Sequence, residues 1–458
     1  MSALDSLLLL AGIGLGLWIG LSRRWPGQGL LVGWALLVLG ALLQFGLEGF
    51  YWQFLPLYAV LAWAGVQLLR PRRGRNFGLA GASLLALAPW VLLPVPQLPA
   101  LHGPYRVGTE VFRWVDPNRP ESATATPDDR RNLVVQAWYP AAAGQTGTSA
   151  PYIDGVERLP GWVSFLPGWA MARFDRIDSH GRLGVALSAD LRQWPVVIFS
   201  PGYGAPRAFY TALVSDLASR GFVVLAIDHP YEAAVTELAD GRLATPIEHF
   251  LPNDPDLLAY MDQHLALRAA DLGFVLDQLQ RPAVWGPRLA GRLDLQRVAA
   301  IGHSFGGASA VAVAVADARI TAAANIDGTL YGGLADQPLY RPFLLLESDH
   351  GETGHSAQYL QDNQRLGETL KAPGARYQLL RANHFSFTDA PLFFSRPARW
   401  ALAQLIGGTR GTARTLAASN DLLTTFLQQA WGKGPADTQA VAMRYGDIRG
   451  GPITRQGR

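Results

Sequence analysis

The sequence predicts a doubly wound α/β domain with a mostly parallel sheet, preceded by an N-terminal bundle of about four transmembrane helices. Three observations predict it. Apolar residues are concentrated in the first hundred positions, β-branched runs then alternate with helix-patterned stretches, and one Gly-x-Ser-x-Gly turn sits where such a run meets a helix.

The chain has 458 residues, of which 49% are apolar and only 16% charged. That balance excludes disorder and points toward a membrane-associated protein. Up to Asn76 the charged side chains are Asp5, Glu48 and six arginines, a net +4, and the whole chain is +3, so the remainder sums to −1. The basic balance therefore belongs to the N-terminal arginines and implies no nucleic-acid partner. No cysteine is present, which excludes disulfides, thiolate catalysis and thiolate metal sites.

Four apolar blocks, residues 6–22, 29–47, 53–69 and 77–95, contain no Asp, Glu, Lys, Arg or His. A bilayer core takes roughly 20 apolar helical residues, and the first block is the marginal one. Trp18, Trp25, Tyr51, Trp52 and Trp90 lie near block ends, where amphipathic rings favour the headgroup zone. Arg23 and Arg24 separate the first two blocks, and Arg70, Arg72, Arg73 and Arg75 separate the last two. Positive loops stay in the cytoplasm. The reading is therefore a cytoplasmic-membrane anchor over residues 1–100 whose fourth crossing delivers everything after about residue 101 to the extracytoplasmic side.

Residues 101–435 read as the globular domain. Residues 105–114 and 132–139 alternate like half-buried antiparallel strands. Residues 195–200 (PVVIFS) and 222–228 (FVVLAID) are continuous runs of the kind buried in a parallel sheet. Further strand runs fall at 297–301, 319–326, 342–347 and 376–381, with helical intervals at 208–220, 259–279 and 308–316. An amphipathic helix near 412–431 follows, and the Gly-rich basic segment 436–458 reads as a loose tail. This alternation implies crossover helices on a doubly wound sheet. Residues 141–192, with an aromatic centre suited to covering a site or touching lipid, and residues 229–256 interrupt it as long loops.

Residues 297–308 read RVAAIGHSFGGA, a buried strand, then Gly302-His303-Ser304-Phe305-Gly306, then a helix of small residues. In a turn this tight, side chains at Gly302 or Gly306 would collide with neighbouring elements. Ser304 is left presenting its hydroxyl at a helix N-terminus, where free N–H groups favour developing negative charge. Ser304 is the candidate nucleophile. A serine needs a base, and the base an orienting carboxylate, in the order serine, acid, histidine on such a sheet. His384, directly after the strand run 376–381, is the candidate base, while His350 and His355 read as a surface loop. Two carboxylates end strands in the right interval, Asp327 and Asp349, and periodicity does not choose between them. Asp349, His350, Glu352 and His355 could be imagined as metal ligands, but the loop reads equally as solvated surface. No metal or cofactor is expected.

Over roughly residues 104–431 the chain resembles the platelet-activating-factor acetylhydrolase family of the α/β-hydrolase superfamily. The segments that carry the resemblance are FSPGYGAPRAFYTALVSDLASRGFVVLAIDH, HLALRAADLGFVLDQL, IGHSFGGA, NIDG, RPFLLLES and LAASNDLLTTFLQQA. The N-terminal anchor is an addition to that pattern. The resemblance implies an α/β-hydrolase fold with Ser304 as nucleophile, Asp327 as acid and His384 as base. It also implies an oxyanion hole from the backbone N–H groups of Tyr203 and Phe305. The implied substrate is a phospholipid-like ester with a short acyl group. Two other readings stand beside it: a broader carboxylesterase, lipase or polyester hydrolase, which often takes its acid from the later strand (Asp349), and a non-catalytic membrane-bound binding protein.

Overall fold

The described apolar segments up to Leu92 satisfy their own backbone hydrogen bonds as helices, as a bilayer core would require. The computed structural model describes residues 2–22, 27–70, 74–164, 166–247, 256–432 and 436–453. These divide into two compact units, one of residues Met1–Gln97, Leu166–Ile177 and Leu392–Ala401, the other of the remainder.

The first unit contains α1 (Ala3–Leu21), α2 (Gln28–Glu48), α3 (Leu55–Leu69), α4 (Phe77–Leu85) and α5 (Ala88–Leu92). α1 starts on a capping box in which the Ser2 hydroxyl accepts from the Asp5 N–H at 3.0 Å and the Asp5 carboxylate accepts from the Ser2 N–H at 3.0 Å. Gly12, Gly16 and Gly20 line one buried face of α1. A methyl on Gly16 would stand 2.1 Å from the Ser83 hydroxyl of α4 and 2.9 Å from Val60 of α3, so small residues set the helix spacing. Three segments, Ala3–Leu21, Gln28–Glu48 and Trp52–Leu69, are long and apolar enough to cross a membrane. The expected fourth falls short. Phe77–Leu92 is a shorter apolar stretch, broken between α4 and α5 because Pro89 has no N–H to give the Leu85 carbonyl. The orienting residues Arg23, Arg24, Arg72 and Arg73 lie outside the described residues.

Part of the aromatic centre expected in a covering loop belongs to this helical unit. The Trp169 ring meets Trp52 edge-on at 4.7 Å. The guanidinium groups of Arg173 and Arg176 donate to the Glu48 carbonyl at 2.7 and 2.6 Å, supplying cations to the carbonyl end of α2, where the helix dipole favours them.

The second unit is built on an eleven-stranded sheet. In chain order the strands are β1 (Val107–Pro120), β2 (Arg130–Pro140), β3 (Thr148–Ser149), β4 (Gly181–Leu183), β5 (Trp194–Ser200), β6 (Val223–Asp228), β7 (Leu293–His303), β8 (Ala322–Ile326), β9 (Phe343–Glu347), β10 (Gly374–Leu379) and β11 (Ile448–Pro452). Their spatial order is β11-β10-β9-β8-β7-β5-β6-β2-β1-β4-β3. The six from β10 to β6 are parallel to their neighbours, and β2 joins them antiparallel. Crossover helices α6 (Thr211–Ser219), α7 (Leu257–Leu279), α8 (Phe305–Ala316) and α9 (Ala357–Thr369) link the parallel strands. β5 and β6 are buried at every position, as expected for apolar runs covered on both faces. Then come α10 (Thr412–Ala430) and α11 (Thr438–Tyr445). The segment expected as a loose tail is instead ordered through Pro452. α11 is capped by Asp437, and β11 pairs with β10 along the sheet edge. Gly450, at φ +121°, has no room for a side chain 2.0 Å from the Arg376 carbonyl. Glycines that looked like looseness are what let this strand approach.

Candidate active site

β7 ends at His303 and α8 begins at Phe305, so a single residue makes the turn. Ser304 adopts φ 55°, ψ −127°, a conformation that costs a non-glycine residue about 1–3 kcal/mol and persists only where its surroundings impose it. The surroundings are tight. A methyl on Gly302 would stand 2.0 Å from the Gly306 carbonyl oxygen, and one on Gly306 would stand 2.0 Å from that of Ser200. The Ser304 N–H donates to the Ile326 carbonyl at 2.8 Å, locking the turn to the end of β8.

Asp327 follows β8 directly, also in a left-handed conformation. An Asn325 side-chain loop closes behind it, accepting from the Gly328 N–H at 2.9 Å and donating to the Gly328 carbonyl at 2.9 Å. The Asp327 carboxylate is fully buried and richly bonded. One oxygen accepts from the Ser348 N–H at 2.7 Å, His355 Nε2 at 2.9 Å and the Tyr359 hydroxyl at 3.3 Å. The other accepts from the Ser348 hydroxyl and from His384 Nδ1, both at 2.8 Å. Burial by itself would raise the carboxyl's pKa. The hydrogen bonds from His355 and His384 outweigh it and hold Asp327 well below the usual carboxylate range. Because a carboxylate only accepts, His384 carries its proton on Nδ1, which leaves Nε2 as the basic nitrogen.

Asp349, the other carboxylate, sits elsewhere. One of its oxygens caps a single helical turn through the Gly351 N–H at 2.9 Å, and the other takes the Arg381 N–H at 2.7 Å. His355, expected on a surface loop, is a buried neighbour of Asp327 with its ring stacked on Tyr359 at 3.9 Å. Ser348, His355 and Tyr359 escaped sequence reasoning. The crowding of polar residues in ESDHGETGH just after a buried strand was the available signal.

Ser304 and His384 line one cleft of about 360 Å³ together with Trp162, Tyr203, Phe209 and Phe385. The Ser304 hydroxyl makes no hydrogen bond among the described residues, so the two groups share a pocket rather than a bond in this state. Tyr203 forms the opposite wall, its hydroxyl 2.7 Å from that of Tyr260. Phe305, as the first residue of α8, has an N–H with no intrahelical acceptor. A relay of hydrogen bonds runs through the cleft lining. The Gly202 N–H donates to the Tyr210 oxygen at 3.0 Å, the Tyr210 hydroxyl meets His303 Nδ1 at 2.8 Å, and His303 Nε2 meets the His384 carbonyl at 3.0 Å. A carbonyl only accepts, so Nε2 bears the proton and Nδ1 accepts from Tyr210. Burial, reinforced by the nearby His384, pushes the His303 pKa well below its usual value, consistent with this neutral form.

A second serine–histidine–carboxylate chain shows why access matters. Ser200 lies 3.0 Å from His229 Nε2, and His229 Nδ1 lies 2.8 Å from Asp271, but all three are fully buried. Arg131 clamps Asp271 with two bonds of 3.1 and 2.7 Å. This chain ties down the end of β5, directly before the turn that carries Gly202 and Tyr203.

Comparison with known proteins bears on the fold and the family. Residues 197–447 match the family described as "Alpha/beta hydrolase family", and residues 93–248 match "Platelet-activating factor acetylhydrolase, isoform II". The chain is 26% identical over 283 residues to a "Probable 1-alkyl-2-acetylglycerophosphocholine esterase" of Arthroderma benhamiae, covering 55% of this chain and 64% of that protein. It is 23% identical over 294 residues to a "Platelet-activating factor acetylhydrolase" of Cavia porcellus, covering 58% and 63%. The chain thus spans a little under two thirds of these relatives. Among solved structures it is similar to a ferulic acid esterase from Streptomyces cinnamoneus, with a TM-score of 0.60 and 29% identity over 73% of this chain and 93% of that one.

Proposed function

This chain belongs to the α/β-hydrolase family, and on that premise we propose that it hydrolyses carboxylic esters at Ser304. One observation carries the reading: a strained serine lines the same cleft as an imidazole whose far nitrogen is held 2.8 Å from a buried carboxylate. His384 Nε2 takes the Ser304 proton as the hydroxyl attacks the ester carbonyl. Asp327 holds the imidazole in the required tautomer and stabilises its charged form. The backbone N–H groups of Tyr203 and Phe305 receive the oxyanion, an interaction worth roughly 3–4 kcal/mol per donor. Collapse expels the alcohol, which takes its proton from His384, and water attacks the acyl-enzyme by the reverse sequence.

For substrate, the names of the curated relatives favour a phospholipid-like ester with a short acyl group, and the likeness to a ferulic acid esterase supports a broader carboxylesterase as the second reading. A chain-length series of phospholipid and simple esters on the full-length protein in detergent separates them. A sharp preference for acetyl on phospholipid supports the first, and a flat profile the second. Ser304→Ala is expected to lower hydrolysis of p-nitrophenyl acetate by at least about 10³-fold. An unchanged rate would sink the ester-hydrolase reading altogether.

In the same proposal the apolar helices anchor the chain in a cytoplasmic membrane, and the shorter, broken stretch Phe77–Leu92 makes the fourth crossing that carries the α/β domain to the side opposite the arginine-bearing connections, the extracytoplasmic one. Since the chain has no cysteine, a single exposed Glu157→Cys reports the side directly. Labelling of intact cells by a membrane-impermeant maleimide is expected, and labelling only after lysis would reverse the orientation.

A further inference from the structure

We propose that His355 is a positioning residue for the triad acid, so that Asp327, already held by Ser348, is oriented by two imidazoles, one on each oxygen. This rests on the reading of Ser304, His384 and Asp327 given above and adds a residue to it.

A carboxylate with one strong partner can rotate about its own axis and swing that partner. Asp327 cannot. His355 Nε2 holds one oxygen at 2.9 Å and His384 Nδ1 the other at 2.8 Å, so rotation that loosened one bond would loosen both. His355 is itself fixed. Its side chain is 5% exposed, and its ring lies 3.9 Å from that of Tyr359 at an interplanar angle of 18°. Its Nδ1 is buried without a hydrogen-bond partner among the described residues. With Nε2–H donating to a carboxylate, the ring's polar contacts are made on its Asp327 side, to that oxygen and to the Ser348 hydroxyl at 3.3 Å. A histidine serving only to fill space or cap a helix would not direct its bonds this way.

The electrostatic consequence has a sign. A donor on the far oxygen draws charge from the carboxylate and weakens its hold on a protonated His384. Removing that donor makes Asp327 the stronger partner, and the base protonates at higher pH. The other groups facing this cluster are accounted for. His303 lies beside His384 with ring centroids 4.5 Å apart and the planes tilted by 37°. Tyr359 donates to Asp327 and also to Glu347 at 3.1 Å. Glu347 is neutralised by Arg376 at 2.5 and 2.9 Å, with His350 3.5 Å away. The Ser348 N–H reaches the same oxygen at 2.7 Å and the Tyr359 hydroxyl at 3.3 Å, so His355 is one of three donors there and the one imidazole among them.

The test uses full-length protein in detergent with p-nitrophenyl acetate. His355→Phe keeps a flat ring against Tyr359 but removes the donor. Its kcat is expected to fall about tenfold, and the acidic limb of kcat/KM to move to higher pH by about half a unit or more. His355→Gln, whose Nε2 reaches the same oxygen, is expected to restore the limb and most of kcat. If His355→Phe fails to fold, His355→Asn, with an amide too short to reach Asp327, is read by the same criteria. An acidic limb that stays in place in the donor-less variant, whatever the rate, overturns the proposal, and so does a glutamine variant no better than phenylalanine. Ser304→Ala run alongside separates the two failures. If it abolishes hydrolysis while the His355 variants leave the limb unmoved, only the role of His355 falls.

Discussion

Gly306→Ala puts the proposed oxyanion geometry to a demanding test, because the new methyl would meet backbone rather than a yielding side chain. The added Cβ would stand 2.0 Å from the Ser200 carbonyl oxygen and 2.5 Å from that of Pro201. A relaxed carbon–oxygen contact is about 3.3 Å, so the two elements must part by roughly 1.3 Å. Ser200 cannot yield easily. Its strand is flanked by β6 and β7, its hydroxyl is bonded to His229 at 3.0 Å, and the next carbonyl accepts from Arg268 at 2.6 Å. The displacement therefore falls on the start of α8 and on the Gly202–Tyr203 turn, the two proposed sources of oxyanion donors. A misplacement of about 1 Å costs on the order of 10² in rate, and overpacking of this kind costs about 1–3 kcal/mol of stability. Steady-state ester hydrolysis and thermal melting of purified Gly306→Ala should show kcat down about a hundredfold with a lowered midpoint. Gly273→Ala in α7, where a methyl meets nothing within 4 Å, is the control and should be neutral or slightly stabilising. Wild-type kcat in Gly306→Ala would refute the argument that this corner positions the donors.

Two further outcomes follow from the same contacts. Asp327→Asn is expected to lower kcat by about 10³–10⁴, whereas Asp349→Asn, which loses only bonds to backbone amides, should stay within a few-fold. The opposite ranking would move the acid to the later strand. Asp389 is buried beside the Tyr152 hydroxyl at 3.0 Å, and burial pushes its pKa up to about 8. The folded state thus holds a proton that the unfolded chain releases near pH 4. Stability contributed by this group is complete at low pH and falls as pH rises toward 8. Asp389→Asn should flatten that decline in melting temperature between pH 5 and 8, and a parallel slope in both proteins would refute the assignment.

Much of the fold was legible because its signals are local. A run of six or seven mostly apolar residues with β-branched side chains among them has few ways to be buried, and 195–200 and 222–228 became β5 and β6 within a residue. The serine corner was legible for the same reason, since two glycines and a small-residue helix leave one way to turn. Where the sequence misled, a long-range contact had overridden a local cue. Glycines in 446–451 read as looseness, yet β10 needed a strand that could approach its backbone. Residues 77–95 read as one span, yet a single proline divides them. The loop 141–192 read as cover for a site or a contact with lipid, yet its Trp169, Arg173 and Arg176 complete the ends of apolar helices more than a hundred residues earlier.

By itself the sequence determined the two-part plan, the strand–helix alternation and the candidates for nucleophile and base, because each depends on residues close together in the chain. Only the tertiary structure decided which carboxylate faces His384 and that a second histidine shares it. Asp327 and Asp349 end adjacent strands with equal local credentials. They differ in where β8 and β9 aim their ends, one toward an imidazole and the other toward backbone amides, and that direction is set by sheet order and packing rather than by neighbours in sequence.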